Sequence, residues 1–330
     1  VRLWLGAAAV LIALSQDEEP ASPHADWQAR LARDGRTVQL ADMSGLECAA
    51  CHRTVAEEWR LSTHATAWQD EHYQRELRST RKKDRCHGCH APPPMIAAGL
   101  PSHPEAREGH RHLGVECSSC HLDVDGETVL GPYGVETEAH PTARSDLFTG
   151  DDSALCISCH STTIGPVIGV AQDFVDTKQA ELGLSCIGCH MPGLRGPIAN
   201  DDAGTEYPTR RRRSHRLNTP RDPVFLATAF GLSAELRAGR AVLSIENLAG
   251  HRVPGTTRRE LTFRVQVIDR HGDVVDEHEH LIDHRRFLPV EETVEVELAE
   301  GGVKLRVRGL HETDGMRRPQ EFMDVELPLQ

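Results

Sequence analysis

Apolar and polar residues alternate along three stretches of the last third of the chain: ELTFRVQVID (260–269), TVEVELA (293–299) and VKLRVRGL (303–310). A period of two marks strands with one buried face. RAVLSIEN (240–247) and EFMDVELPL (321–329) alternate more weakly. RHGD (270–273) and EGG (300–302) supply the turns that hairpins need. About seven short strands in roughly 100 residues predict an immunoglobulin-like β-sandwich over 223–330. NLAGHRVPGTT (247–257) reads as a loop between strands, with Gly250 and Gly255 allowing a tight turn and Pro254 stiffening it. Upstream the pattern changes to short mixed segments, among which VAEEWRLSTHATAW (55–68) reads as a helix. The expected fold class is α+β and multidomain: a mainly α, loop-rich domain over 46–222, then the sandwich.

One apolar run stands apart, from Leu3 to Leu14. Arg2 precedes it, and Ala13 and Ser15 place small residues at −3 and −1 of a cut before Gln16. This is the pattern of a signal peptide over 1–15, with a linker over 16–45. A bilayer crossing needs about 20 apolar residues, so the run is short for an anchor. No later segment is apolar enough to span a membrane. The expectation is an exported chain, periplasmic or extracellular, with no membrane span after cleavage.

Charge narrows the partners. Lys+Arg number 37 and Asp+Glu 50, a formal net charge of −13. That balance argues against nucleic-acid binding, which needs a basic face. Aromatic residues are only 4% of the chain, a thin supply for an ordinary core. Two counts stand out instead, ten Cys and twenty His.

All ten cysteines fall in C-x-x-C pairs: Cys48/Cys51, Cys86/Cys89, Cys117/Cys120, Cys156/Cys159 and Cys186/Cys189. A histidine follows each pair at once: His52, His90, His121, His160 and His190. This is the attachment motif of c-type haem. Two thiols on one helical turn add to the two vinyl groups of a porphyrin, and the adjacent imidazole ligates the iron. A disulfide framework gives no reason for the histidines, and paired zinc knuckles would leave one of five over. The expected cofactor is therefore haem c, five copies, covalently attached, with no cysteine left for a disulfide.

The motifs begin at 48, 86, 117, 156 and 186, a long–short alternation of spacing. LGVEC (113–117) and LGLSC (182–186) lead into the third and fifth. Together these features indicate a duplicated two-motif unit of about 70 residues. At about 35 residues per cofactor between 46 and 220, the porphyrins themselves must form much of the core.

Sixth ligands are expected from the remaining histidines, since bis-His ligation suits a chain with only five Met. Twelve residues of continuous helix, about 18 Å, separate His52 from His64, so His64 is expected to serve a neighbouring haem. His140 and His215 follow the third and fifth motifs at similar distances and are both expected ligands. Of His103, His110 and His112, His112 is the expected ligand. His251 lies in the stiffened loop, which reads equally as a ligand-presenting loop or a plain turn. His271, His278, His280, His284 and His311 are expected at the surface.

The string CAACHRTVAEEWRLSTHATAW (48–68) resembles the opening of the multihaem cytochrome c family that includes hydroxylamine oxidoreductase and its tetrahaem electron acceptor. Trp59, Ser62, His64 and Ala65 match its pattern, as do GVECSSCH (114–121), LSCIGCHMP (184–192) and the basic stretch ending in His215. NLAGHRVPG resembles the G-H-x-x-P loop of β-domains attached to such cytochromes. The resemblance implies stacked haem pairs, bis-His ligation, and His64 and His215 as distal ligands. Departures are the haem count and the lack of a recognisable motif around Tyr73, Tyr133 or Tyr207 for a tyrosine crosslink. The C-x-x-C-K string of pentahaem nitrite reductase is also missing from the sequence.

Three functions follow. The leading one is an electron carrier passing charge between redox partner proteins, with no catalytic residues. The second is an oxidoreductase acting on a small nitrogen or sulfur compound at a haem with an open sixth position. The third is a subunit of a polymeric cytochrome wire, a homo-oligomer. The acidic surface favours positively charged partners.

Overall fold

The computed structural model describes residues 48–135, 137, 139–149, 153–199 and 209–329. The signal-peptide and linker expectations lie outside the described residues. Among the described residues helices account for 23% and strands for 31%, which overturns the expectation of a mainly α protein. The reason lies in what each half must do. A haem motif needs only one turn of helix, and the seven strands of the C-terminal part each run 8–10 residues.

The N-terminal part carries α1 (Arg53–Arg60), α2 (Glu71–Ser79), α3 (Asp84–His90), α4 (Cys117–His121), α5 (Ala154–His160), α6 (Ala171–Phe174), α7 (Lys178–Glu181) and α8 (Cys186–His190). Four of these, α3, α4, α5 and α8, end on the histidine of a C-x-x-C-H motif. Two small sheets sit between them: parallel β1 (Val129–Gly131) and β2 (Thr142–Arg144), and antiparallel β3 (Gly193–Gly196) and β4 (Arg210–Arg213). The helix expected through His64 stops at Arg60. Ser62 ends it by accepting the Ala65 N–H on its hydroxyl, a local bond that competes with the helical ladder. His64 therefore sits in a run of turns.

A short helix, α9 (Pro223–Ala227), leads into the sandwich. Asp222 caps it by accepting the N–H groups of Val224 and Phe225. The strands are β5 (Phe230–Arg237), β6 (Arg240–Asn247), β7 (Arg259–Ile268), β8 (Val274–Ile282), β9 (Thr293–Glu300), β10 (Lys304–Thr313) and β11 (Gln320–Pro328). They form a four-stranded sheet, β11-β10-β7-β8, and a three-stranded one, β5-β6-β9. All pairings are antiparallel. Alternate residues of β7 and β10 point inward, so Phe263, Val265, Leu305 and Val307 meet Leu243 and Ile245 of β6 in one core. Phe263 sits at its centre, edge-on to Phe230 at 5.1 Å and to Phe322 at 5.8 Å. Strands β5 and β8 were not legible in the alternation. β8 is mostly exposed and charged, and β5 is polar beyond its first residues.

His311 departs from its expected surface place. It lies on β10 with no exposure, facing the core side.

The loop between β6 and β7 joins the two parts of the chain. Thr257 donates its N–H to the Pro166 carbonyl at 2.9 Å, and Arg252 pairs with Asp173 at 2.6 Å. A Cβ on Gly250 would meet the Phe174 ring at 2.6 Å, and one on Gly255 would meet Val170 at 2.8 Å. These glycines thus serve close approach rather than the tight turn expected of them. Asn247, 1% exposed, anchors the loop. Its Nδ2 donates toward the carbonyls of His251, Leu288 and Pro289 at 2.9–3.1 Å, and its Oδ1 accepts the Ala249 N–H at 2.9 Å.

Asn247→Ala should destabilise the protein by about 1–3 kcal/mol, the cost of buried carbonyls left without a donor. Asn247→Asp should cost more, because it turns an acceptor toward those carbonyls. Urea denaturation of the two variants checks the order.

Candidate haem site

A single continuous cavity of about 2370 Å³ runs through the N-terminal part to the β6–β7 loop. Ordinary small-molecule sites are about 300–1,000 Å³. All ten motif cysteines and all five motif histidines line it. None of the ten cysteines is in a disulfide.

Four of the five motif histidines are held the same way. Their Nδ1 atoms face backbone carbonyls: His52 to Ile198 at 2.6 Å, His90 to Ala67 at 2.6 Å, His121 to Leu130 at 2.7 Å and His190 to Asn218 at 2.8 Å. A carbonyl only accepts, so each Nδ1 must carry the proton and donate it. Nε2 is then the lone-pair nitrogen, free toward the cavity. The same fixes three other rings, His140 on Pro141, His215 on Arg213 and His251 on Arg252, at 3.2, 3.1 and 2.8 Å.

Four of the five motif histidines have a second imidazole across from them. Ring centroids are 6.3 Å apart for His52 and His140, 6.3 Å for His160 and His64, 6.1 Å for His121 and His215, and 6.3 Å for His190 and His251. In three of these pairs both Nδ1–H groups are committed to carbonyls, so neither ring has a proton to give the other. An imidazole nitrogen bonds a first-row metal at about 2.0–2.1 Å, which puts two rings on opposite sides of one ion roughly 6 Å apart. Among the described residues no three His, Cys, Asp or Glu side chains gather to hold a bare ion. Two facing imidazoles suit a metal that brings its own equatorial nitrogens, as haem does. The residues present fit that group.

Electrostatics agree with neutral, ligating rings. Burial first, then the nearby His160, His190 and His215, push His64 down to about 4. Burial first, then His121, push His215 down to about 4. Burial is also the first cause lowering His52, His90, His121, His160 and His251.

The sequence-expected ligands are thus distributed as follows. His64, His140, His215 and His251 each stand across from a motif histidine. His140, after the third motif, reaches back to the first; His215, after the fifth, reaches back to the third. His112 stands beside His110, 6.1 Å between centroids, and neither lines the cavity. No histidine among the described residues faces His90. Tyr73 stacks on its ring instead, centroids 3.5 Å apart and 6° between planes. The Tyr73 hydroxyl is buried without a hydrogen-bond partner.

Supporting residues escaped the sequence reading. Glu58 on α1 holds Arg212 of β4 with two bonds of 2.8 Å and accepts the His215 N–H at 3.0 Å. Trp59 donates to the Val115 carbonyl at 2.7 Å, and Val115 donates to the His64 carbonyl at 2.9 Å. Gly114 beside it has φ of 62°, and a Cβ there would meet the His64 carbonyl oxygen at 2.2 Å. Gly183, its counterpart in LGLSC, also has a positive φ, 74°. These contacts join residues up to 157 positions apart, and no local pattern announces them.

The family model described as cytochrome c554 and c-prime matches residues 47–122, which hold the first three motifs. Among solved structures, a penta-heme cytochrome c552 from Thermochromatium tepidum is similar in fold. The match has a TM-score of 0.62 at 16% identity and covers 88% of this chain and 100% of that one. A β-glucuronidase from glycoside hydrolase family 2 matches 31% of this chain and 11% of its own with a TM-score of 0.19, at 14% identity. No curated protein matches the sequence. The motif set, the partial family match and the fold together support a multihaem c-type cytochrome.

Glu58→Ala would leave Arg212, whose side chain is 10% exposed, without its carboxylate. The expected loss is about 3–5 kcal/mol, as for other buried pairs broken on one side. Adding Arg212→Met should recover much of it, which a double-mutant denaturation cycle would measure.

Proposed function

We propose that this chain is an exported pentahaem electron carrier that passes charge between redox partner proteins through closely spaced haems. The observation that carries the proposal is the set of four opposed imidazole pairs inside one cavity lined by ten cysteines. Haem c bound there supplies a one-electron couple at each iron. Each C-x-x-C pair tethers one porphyrin and each following histidine ligates its iron. His140, His64, His215 and His251 complete the haems of His52, His160, His121 and His190 in turn.

The spacing of the cysteines supports a wiring order. The sulfur atoms of Cys48 and Cys117, of Cys89 and Cys159, and of Cys156 and Cys186 are near neighbours. Cys159 also lies near Cys120. Motif one thus adjoins three, three adjoins four, and four adjoins both two and five. The fourth haem is the junction, and the second is a side branch. The partial family match supports kinship with the tetrahaem acceptor group, and the 4+3 packing of the strands supports an immunoglobulin-like domain over 223–330. Export rests on the sequence of residues 1–15. Among the described residues no helix is long and apolar enough to cross a membrane.

One observation favours a second reading. No histidine among the described residues stands opposite His90, so the second haem is the place for a small ligand, in an oxidoreductase working on a small nitrogen or sulfur compound.

Intact mass should exceed that of the bare polypeptide by five haems; a bare mass ends the proposal. His251→Gly should convert one low-spin ferric haem to high spin in electron spin resonance, with the other haems unchanged, and His112→Ala should convert none. A high-spin signal already present in the resting protein, and lost on adding a small anion, supports the oxidoreductase.

A further inference from the structure

Four arginines near the cavity find carboxylates within the chain. Arg107 pairs with Glu116, Arg212 with Glu58, Arg252 with Asp173, and Arg258 with both Glu76 and Asp314. Arg259 does not. It opens β7 and lines the cavity, and its Nε is shut away from solvent with no hydrogen-bond partner. The neighbouring charge is another cation, Arg221, which with burial holds the Arg259 guanidinium down at about 10. Behind them lies His311, fully buried, with both ring nitrogens unpartnered. Burial first, then Arg259 and Arg221, push it down to about 4, so it stays neutral and offsets nothing.

A guanidinium stays charged, and a buried charge without a counter-ion is costly. Among the described residues no carboxylate pairs with Arg259, so the wall there calls for an anion. Its position says which. The Arg259 charge acts on His251, and Arg221 stands three residues after Asn218, whose carbonyl takes the His190 Nδ1–H. Arg259 lines the cavity together with His190 and His251, and Arg221, exposed, stands next to Arg259. Haem carries carboxylates on the edge away from its thioethers, and guanidinium binds carboxylate through paired hydrogen bonds.

We propose that Arg259, with Arg221 beside it, binds a propionate carboxylate of the haem held between His190 and His251. The proposal rests on the pentahaem reading and deepens it: the β-domain supplies both the sixth ligand and the counter-charge of one haem. A fixed cation there favours the ferrous over the ferric iron and so raises that haem's potential alone.

The test is a potentiometric titration of the holoprotein with Arg259→Gln, Arg259→Lys and, as a control, the exposed Arg317→Gln. Arg259→Gln should lower one of five couples by a tenfold change in its oxidation equilibrium, 59 mV for one electron. Arg259→Lys should restore most of the shift, and Arg317→Gln should leave all five in place. Five unmoved couples in an Arg259→Gln protein that weighs five haems overturn the proposal while leaving the cytochrome reading intact. A wild-type mass without haem would instead fell the cytochrome reading itself. Should Arg259→Gln fail to mature, a crystal structure of the wild-type holoprotein decides: a propionate oxygen within hydrogen-bond distance of Arg259 supports the proposal, and Arg259 paired elsewhere overturns it.

Discussion

The site depends on where one proton sits in each imidazole. A backbone carbonyl within 3.2 Å of Nδ1 holds that proton on seven cavity histidines and leaves Nε2 as the basic nitrogen. The carbonyls come from different kinds of segment. Leu130 is in β1, Arg213 ends β4, and Ile198, Asn218 and Arg252 are in loops. The N-terminal part is therefore built of short pieces. Each places one carbonyl or one thiol pair, and none needs to be a long helix.

This explains what could be read in the sequence and what could not. The C-x-x-C-H strings are local chemistry, complete within five residues, and they name the cofactor without any fold. The alternation of β6, β7, β9, β10 and β11 is equally local, because one face of each strand meets a shared core. The helical share was overestimated because motif helices were extended through neighbouring turns, as at Ser62. His311 was assigned to the surface because its neighbours on β10 are charged. Its own position in the alternation, two residues from the buried Gly309 and four from Val307, pointed inward. The partners of the motif histidines are a matter of tertiary geometry. Residue spacing suggested His140 and His215 but said nothing of their reaching back two motifs, and proximity in sequence pointed to His112, which stands off the cavity.

The sandwich and the cytochrome part share one loop. Asn247 fixes it from the strand side, Arg252 and Asp173 fix it from the α6 side, and His251 sits between those anchors. A conventional apolar core of phenylalanine, leucine and valine thus gives rigidity to a histidine that lines the cavity. Of the few aromatic residues, Phe230, Phe263 and Phe322 cluster in the sandwich core, while Trp59, Tyr73, Tyr133, Phe148, Phe174 and Phe225 line the cavity.

The backward reach of His140 and His215 has a consequence for how the protein comes into being. In the proposed assignment the first iron waits for its second imidazole until the chain has been made through residue 140, and the third waits until residue 215. The fourth iron finds His64 already made, whereas the first, third and fifth wait for residues 140, 215 and 251, so early intermediates carry half-ligated iron. In three of the four pairs a later segment thus seals an earlier motif, and the β6–β7 loop closes the last of them with His251.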